Sequence, residues 1–486
     1  MFTVIIAVLL LGLSAGASAQ VIEPALEQRI ATSRADELLP VIVVLSSRAD
    51  LKAAARLGMT KEERRAQVLK LLRDQTVGTQ GSLISQMRKL GATHFKRLWI
   101  INGVAARVPA NAVDDLAALP GVKSVRLDGS MNAPTLEPGT AVTPEWNIDA
   151  IQAPELWKLG YLGQGIVVAS LDTGVDVEHP DLTAKWRGGA NSWFDPYDAT
   201  TSPFDVDGHG TQVMGLIVGG DAGGTAIGVA PAATWIAAKI FGNGGVAEFS
   251  NVHLAFQWAL DPDGNSLTSD APDIVNASFG FNVTNECNME FEPDIAALKA
   301  AGIGVVVAAG NSGPLPATSI SPGNYPESFA VGSVDSGNAV SDFSSRGPSA
   351  CDGTIYPELV APGVNVDTAD LSFGGIPFYI TVSGTSFTAP HVSGAMALLL
   401  SASPDRTPAE LELALEQSAL DVGAFGPDND TGYGALDVLE AFKRLGGAAP
   451  TDADADGYVA GVDCNDNNSA IYPGAIEVKY DGVDQD

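Results

Sequence analysis

Four short stretches set reactive or hydrogen-bonding side chains where the backbone leaves them uncovered. In SGTSFTAPHVSGAMALLL, residues 383–400, Ser386 follows Gly384 and opens a run of apolar, helical character. Glycine lets the chain turn tightly there, and the small Thr385, Thr388 and Ala389 leave a hydroxyl open at a helix N-terminus, which suits a nucleophile. In GHGTQVMGLIVGG, residues 208–220, His209 stands between glycines just ahead of another apolar stretch. Asp172 closes the apolar run GIVVASLD, and Asn311 follows VVVAAG. An aspartate that fixes a histidine tautomer, a histidine that takes the serine proton, and an amide that donates to a developing oxyanion together make nucleophilic acyl transfer. Each residue alone has a plainer reading: Ser386 as a helix cap, Asp172 as the start of a turn, Asn311 as a turn cap.

Only five histidines are present, so the base is found by elimination. His94 lies in a basic amino-terminal segment, His179 precedes Pro180, and His253 belongs to the helix-like NVHLAFQWAL. His391 lies five positions past Ser386; at 3.6 residues per turn it points away from that hydroxyl and reads as a packing residue. His209 remains.

The elements that must carry these residues are legible in the same chain. From about Pro144, GIVVASLD, ATWIAAKIF, DIVNASF and IGVVVAAG alternate with helical stretches such as VHLAFQWAL and EPDIAALKAAG. Strands that are apolar throughout imply a parallel sheet covered on both faces, with functional groups at the carboxyl ends of the strands. The predicted class is α/β, a doubly wound, mostly parallel sheet. A small α+β, ferredoxin-like unit precedes it: PVIVVL, a helix over 61–75 continued by SLISQMRKLGA, LWIINGVAARV, a short helix over 110–122 and VKSVRLD make the order βαββαβ.

LDTGVDVEHPDL, GHGTQVMG, NASFG, AAGNSGP and SGTSFTAPH, in this order, resemble the signature blocks of the subtilisin-like serine proteases, and the resemblance covers about Trp146 to Leu445. It implies Asp172 as orienting residue, His209 as base and acid, Ser386 as nucleophile and Asn311 in the oxyanion hole. It also implies that Ser278, Phe279 and Gly280 form one edge of the pocket for the residue before the scissile bond, and Ala309 with Gly310 the other. An extended protein or peptide substrate would add a strand between those edges. Ser312 puts no charge on the rim, which points to apolar or aromatic preference. Two positions depart from the family pattern: Gln212 stands where a second histidine is frequent, and Phe387 where methionine is usual. Asp181 matches a family calcium ligand, although its partner loop, GGDAGGTAIGVAP, lacks the expected asparagine.

Residues 1–19 pair an apolar run with the small-residue ending ASA, as in a secretory signal peptide, and predict a secreted product. Residues 20–130 correspond to the family's inhibitory propeptide, 131–143 to a linker and 144–447 to the peptidase domain. The 20–130 segment holds 17 of the 27 Lys and Arg and carries a net charge of +6, against −37 for the remainder, so long-range attraction favours its docking as the enzyme's own inhibitor. The net charge of −31 argues against nucleic acid as a partner, no later segment reads as a membrane span, and a monomer is expected.

The acidic tail, 448–486, allows two readings. Asp452, Asp454, Asp456, Gly457 and Asp463 fall at positions 1, 3, 5, 6 and 12 of an EF-hand-like loop, predicting structural calcium, whereas composition alone fits a disordered tail. DCNDNNSAIYPGAIEVKYDGVDQD also resembles repeats of bacterial secreted proteins with a DCDD and PGA pattern, which go on to a further cysteine. Three cysteines, Cys287, Cys351 and Cys464, have no zinc-type spacing and leave their pairing open. No cofactor is implied for the chemistry. The rival to a secreted endopeptidase is a catalytically silent protease fold serving as a calcium-dependent binding module.

Overall fold

A computed structural model describes residues 21–54, 59–134, 137–138, 146–197, 200–447, 468 and 471. The signal-peptide reading, most of the linker, the tail carboxylates Asp452, Asp454, Asp456 and Asp463, and Cys464 lie outside the described residues. Two compact units are present. The smaller takes residues up to 48, 78–97 and 102–128; the larger takes 49–77, 98–101 and everything from 129 onward.

The smaller unit is built on an antiparallel sheet in the order Thr93–Leu98, Gly103–Pro109, Leu38–Leu45, Val122–Leu127. Leu39, Val41, Val43, Val104, Ala106 and Val108 send alternate side chains into one core with Leu83, Ile84 and Met87 of the helix Thr79–Lys89. The long helix expected from residue 61 onward is two helices, Lys61–Asp74 and Thr79–Lys89, because Gly78 adopts φ +77° between them. Helix Lys61–Asp74 groups with the larger unit.

The larger unit carries the predicted doubly wound sheet. Seven parallel strands run in the order Leu359–Pro362, Phe329–Val334, Gly304–Ala308, Ile274–Ala277, Val167–Asp172, Thr234–Lys239, Trp193–Phe194. Every residue of strand Gly304–Ala308 and of strand Phe329–Val334 is buried, as the unbroken apolar runs require. Strand order reverses direction at Val167–Asp172, so Asp172 sits at the topological switch point where such sheets bind ligands. Helix Ala389–Ala402 is buried from Ala389 to Leu400 and joins the main core through Val392, Met396 and Leu399. Cys287 and Cys351 are joined by a disulfide.

His253, in helix Phe249–Leu260, is buried between Asp294 Oδ2 and Glu290 Oε1, each 2.8 Å from a ring nitrogen. Burial alone would lower its pKa, but the two carboxylates hold it up at about 9. Raised above the unfolded value near 6.5, this group contributes stability that is fully present below that pH and is lost as pH rises through about 9. His253→Gln strands two buried carboxylates, and a loss of about 3–5 kcal/mol is expected. Urea denaturation in a Ser386→Ala background, which removes self-digestion, measures it; a loss that does not shrink between pH 6 and pH 10 sinks the ion-pair account.

Candidate active site

Asp172 ends its strand 1% exposed, and its Oδ1 accepts the Thr173 backbone N–H at 2.7 Å and His209 Nδ1–H at 2.8 Å. The glycines around His209 are forced by space. Gly208 holds φ +102° at the helix start, and a Cβ on Gly210 would lie 2.1 Å from the Gly174 carbonyl oxygen. The Gly210 N–H donates to Thr173 Oγ1, and Thr211 binds Asp205 Oδ2 through both its N–H and its hydroxyl. The backbone carrying His209 is thereby tied to the loop carrying Asp172.

Ser386 is not a helix cap. It lies in a 3₁₀ turn, Thr385–Phe387, set by Gly384 at φ +148°, and the N-cap of helix Ala389–Ala402 is Thr388. The Ser386 hydroxyl, 5% exposed at the residue level, donates to the Ser278 carbonyl at a long 3.4 Å. His209 Nε2 is buried without a hydrogen-bond partner among the described residues, and the His209 ring lies 5.7 Å from the ring of Phe387. A weakly held hydroxyl and an unpaired ring nitrogen are what a serine–histidine proton transfer needs, and such bonds commonly tighten only with substrate bound.

Asn311 Oδ1 accepts the Thr385 N–H at 2.9 Å and the Thr385 hydroxyl at 2.8 Å. A backbone N–H can only meet the amide oxygen, so Asn311 Nδ2–H₂ is left free to donate. Ser278, Phe279, Gly280, Gly310, Asn311, Ser312, Thr385 and Ser386 line one cavity of about 200 Å³, with Phe281, Ile320 and Ala308. Among the described residues no charged side chain lines it. Ala309 does not: it is fully buried on the other side of the chain, where its carbonyl accepts the Tyr356 hydroxyl, and Ala308 faces the cavity instead. Alternation of side chains along an extended backbone separates these neighbours. Residues 130–134 enter the same cleft: Ser130–Asn132 pairs antiparallel with Val246–Glu248, and Asn132 and Pro134 line the cavity.

Burial would depress the His209 pKa, yet the Asp172 carboxylate, with Asp207 and Asp205 behind it, raises it above the ordinary 6.5. A protonated histidine cannot act as a general base, so a site that used His209 as base would lose activity as pH drops through that raised value. Asp207 is exposed and acts by charge; Asp207→Asn is expected to move the acid limb of kcat/KM to lower pH with little loss at pH 9, and an unmoved limb refutes its influence. Lys239, 1% exposed, closes the neighbouring strand, donates to the Thr173 carbonyl and lies 5.0 Å from the Phe204 ring. Burial lowers its pKa, while Asp205, Asp195, Asp172 and Asp207 oppose that shift. Sequence reasoning missed Lys239, and it read Thr385 only as a small neighbour of Ser386, not as the partner that orients Asn311. A lysine closing an apolar strand was the available signal for the first; nothing local marked the second.

Residues 163–434 match the sequence profile of the subtilase family. The chain belongs to the subtilase family. Over 422 residues this subtilase is 33% identical to Bacillopeptidase F of Bacillus subtilis (strain 168), a match covering 80% of the present chain but 28% of that relative. It is 34% identical to Subtilisin E of the same strain over 331 residues, 68% of this chain and 78% of the relative, and 35% identical to Subtilisin of Bacillus pumilus over 282 residues, 57% and 92%. Residues 463–486 match a profile described as a metal-binding motif. The chain is accordingly a subtilisin-like serine peptidase.

The surroundings of Asp181 do not fit the calcium ion that the family pattern implies. Its Oδ1 accepts the Ala222 N–H at 2.8 Å and its Oδ2 the Tyr379 hydroxyl at 2.7 Å, so both oxygens are taken by donors. Lys185 donates to the Val218 carbonyl, and burial brings its ammonium down to about 8 against the pull of Asp181 and Asp221. Hydrogen-bond donors and an ammonium stand where oxygen ligands would be required. His391 is likewise apart from the chemistry: Phe387 O accepts from its Nδ1, Asn147 donates to Nε2, and burial takes its pKa down to about 4.

Proposed function

We propose that this subtilase is a secreted endopeptidase that cleaves protein substrates through an acyl-enzyme on Ser386. In this reading His209 is general base and then general acid, Asp172 orients it and stabilises the imidazolium, and Asn311 Nδ2 with the Ser386 backbone N–H holds the oxyanion. The observation that carries the reading is the 2.8 Å Asp172–His209 bond, with an unpaired His209 Nε2 in the same buried site as a weakly held Ser386 hydroxyl.

The uncharged cavity between Phe279 and Ile320 supports apolar or aromatic side chains before the scissile bond. Residues 20–130 act as propeptide and inhibitor. Support comes from the chain's own course: Ser130–Asn132 lies on Val246–Glu248 as a substrate strand would, and the backbone of Glu137 and Pro138 pairs with Ser383 and Val382. Pro134 lines the same cavity as Ser386, so self-cleavage is assigned to the linker within residues 129–145. The acidic tail is read as a structural calcium site on the spacing of Asp452, Asp454, Asp456 and Asp463; the matched metal-binding motif, 463–486, includes only the last of these and specifies no calcium.

Labelling by a fluorophosphonate, lost in both Ser386→Ala and His209→Ala, is the deciding experiment. Processed wild-type protein that neither takes the label nor cleaves casein overturns the enzymatic reading.

A further inference from the structure

Three carboxylates beyond the end of helix Phe249–Leu260 have no part in the peptidase site. One carboxylate oxygen each from Asp261, Asp263 and Asp270 lies within 4.8 Å of the others. Asp261 and Asp270 are buried and Asp263 is exposed. Helix Lys61–Asp74 meets this charge. Arg65, 3% exposed, donates from Nη1 to Asp270 Oδ1 at 3.1 Å, and Arg73 Nη2 binds Asp261 Oδ2. Even so, Asp261 Oδ1 is buried with no hydrogen-bond partner among the described residues, although its residue is only 5% exposed. An anionic oxygen out of water with no donor is poorly compensated.

Both arginines lie within residues 20–130, and the inference rests on reading that stretch as the propeptide. When the propeptide leaves, two guanidiniums leave with it: Asp261 loses the partner of its Oδ2, while Asp270 keeps Asn191 and the Asp263 N–H on Oδ2, with Arg187, which donates to the Asp270 carbonyl, as the remaining neighbouring cation. The remaining loop has the makings of an oxygen cage. Asn191 Nδ2 and the Asp263 N–H orient Asp270 through its Oδ2, Thr268 donates its hydroxyl to Asp263, and Gly264, at φ +76°, permits the sharp turn. With carboxylates and no His or Cys, such a set selects a hard cation.

We propose that Asp261, Asp263 and Asp270 form a calcium site that Arg65 and Arg73 occupy in the precursor, and that a calcium ion replaces them on maturation. Calcium and the propeptide then compete for the same carboxylates, so calcium also speeds release of the cleaved propeptide.

The test counts calcium bound per chain by equilibrium dialysis after stripping with EDTA. It compares pairs of proteins with the same tail. Processed wild type is expected to hold one ion more than processed Asp263→Asn, whose substitution is exposed and leaves the fold intact. Uncut Ser386→Ala and Ser386→Ala/Asp263→Asn are expected to hold equal numbers, and adding Arg65→Ala with Arg73→Ala to the uncut Ser386→Ala chain raises its count by one. Equal counts in the processed pair overturn the site. A loss caused by Asp263→Asn in the uncut pair overturns the exchange. The mass of the processed protein separates the underlying reading: a chain that still contains residue 61 shows that the propeptide assignment has failed, and the exchange falls with it.

Discussion

Ser386→Ala is expected to leave residues 20–130 attached to the purified chain, to leave it unlabelled by fluorophosphonate, and to lower peptidase activity by on the order of 10⁶-fold, the loss known for subtilisin's own serine. The expectation has two parts, because the same hydroxyl would act on the chain's own segment and on substrates. Residues 130–132 already lie along Val246–Glu248, and Asn132 and Pro134 line the cavity that Ser386 also lines. With the hydroxyl gone there is no acyl-enzyme, while the cavity and the Asn311 amide remain. Residual catalysis of about 10³–10⁴-fold over water is therefore expected from oxyanion stabilisation and binding alone. Mass spectrometry of protein purified away from other proteases decides the first part. If the variant yields the same shortened amino terminus as wild type, self-processing is wrong even if the peptidase assignment stands.

Asp172→Asn is expected to cost about 10⁴-fold in kcat with KM little changed. The reason is electrostatic. Asp172 is 1% exposed, its Oδ1 takes both His209 Nδ1–H and the Thr173 N–H, and its Oδ2 is buried without a partner among the described residues. Replacing that carboxylate by a neutral amide removes the charge that raises the His209 pKa and that, in the proposed mechanism, would stabilise the imidazolium formed as Ser386 attacks. The pH–rate profile supplies the check. The acid limb of what activity remains should move to lower pH, because the His209 proton is held less tightly; a limb that stays in place would falsify the role given to Asp172. The direction matches that for Asp207→Asn, but the rate loss is far larger, since Asp207 influences His209 from an exposed position and makes no bond to its ring.

Much of the fold was legible because its signals are local. Unbroken apolar strands separated by helical stretches specify a parallel sheet covered on both faces, and the seven-stranded sheet has that form. The two-helix break at Gly78 was missed because the helical pattern resumes immediately after it, and a single glycine inside such a pattern weakens a helix without marking a boundary. In the site, glycines were informative. Gly210 and Gly310 leave no room for a Cβ, against the Gly174 carbonyl in one case and the Ile320 side chain in the other. They flag the backbone where His209 and Asn311 stand. The misplacement of Ala309 has the opposite origin, since two adjacent alanines are alike in composition and only the direction of the extended chain separates them.

The sequence by itself determined the family, the sheet class and the residue types able to do acyl transfer, because each is written in short motifs with fixed spacing. Only the tertiary structure decided which distant groups meet. It joined Cys287 to Cys351, set Tyr379 and Lys185 around Asp181 in place of oxygen ligands, and laid Arg65 and Arg73 on carboxylates 205 and 188 positions away. No local pattern encodes such pairings, for they depend on how the chain returns on itself and on the cost of burying charge without a partner.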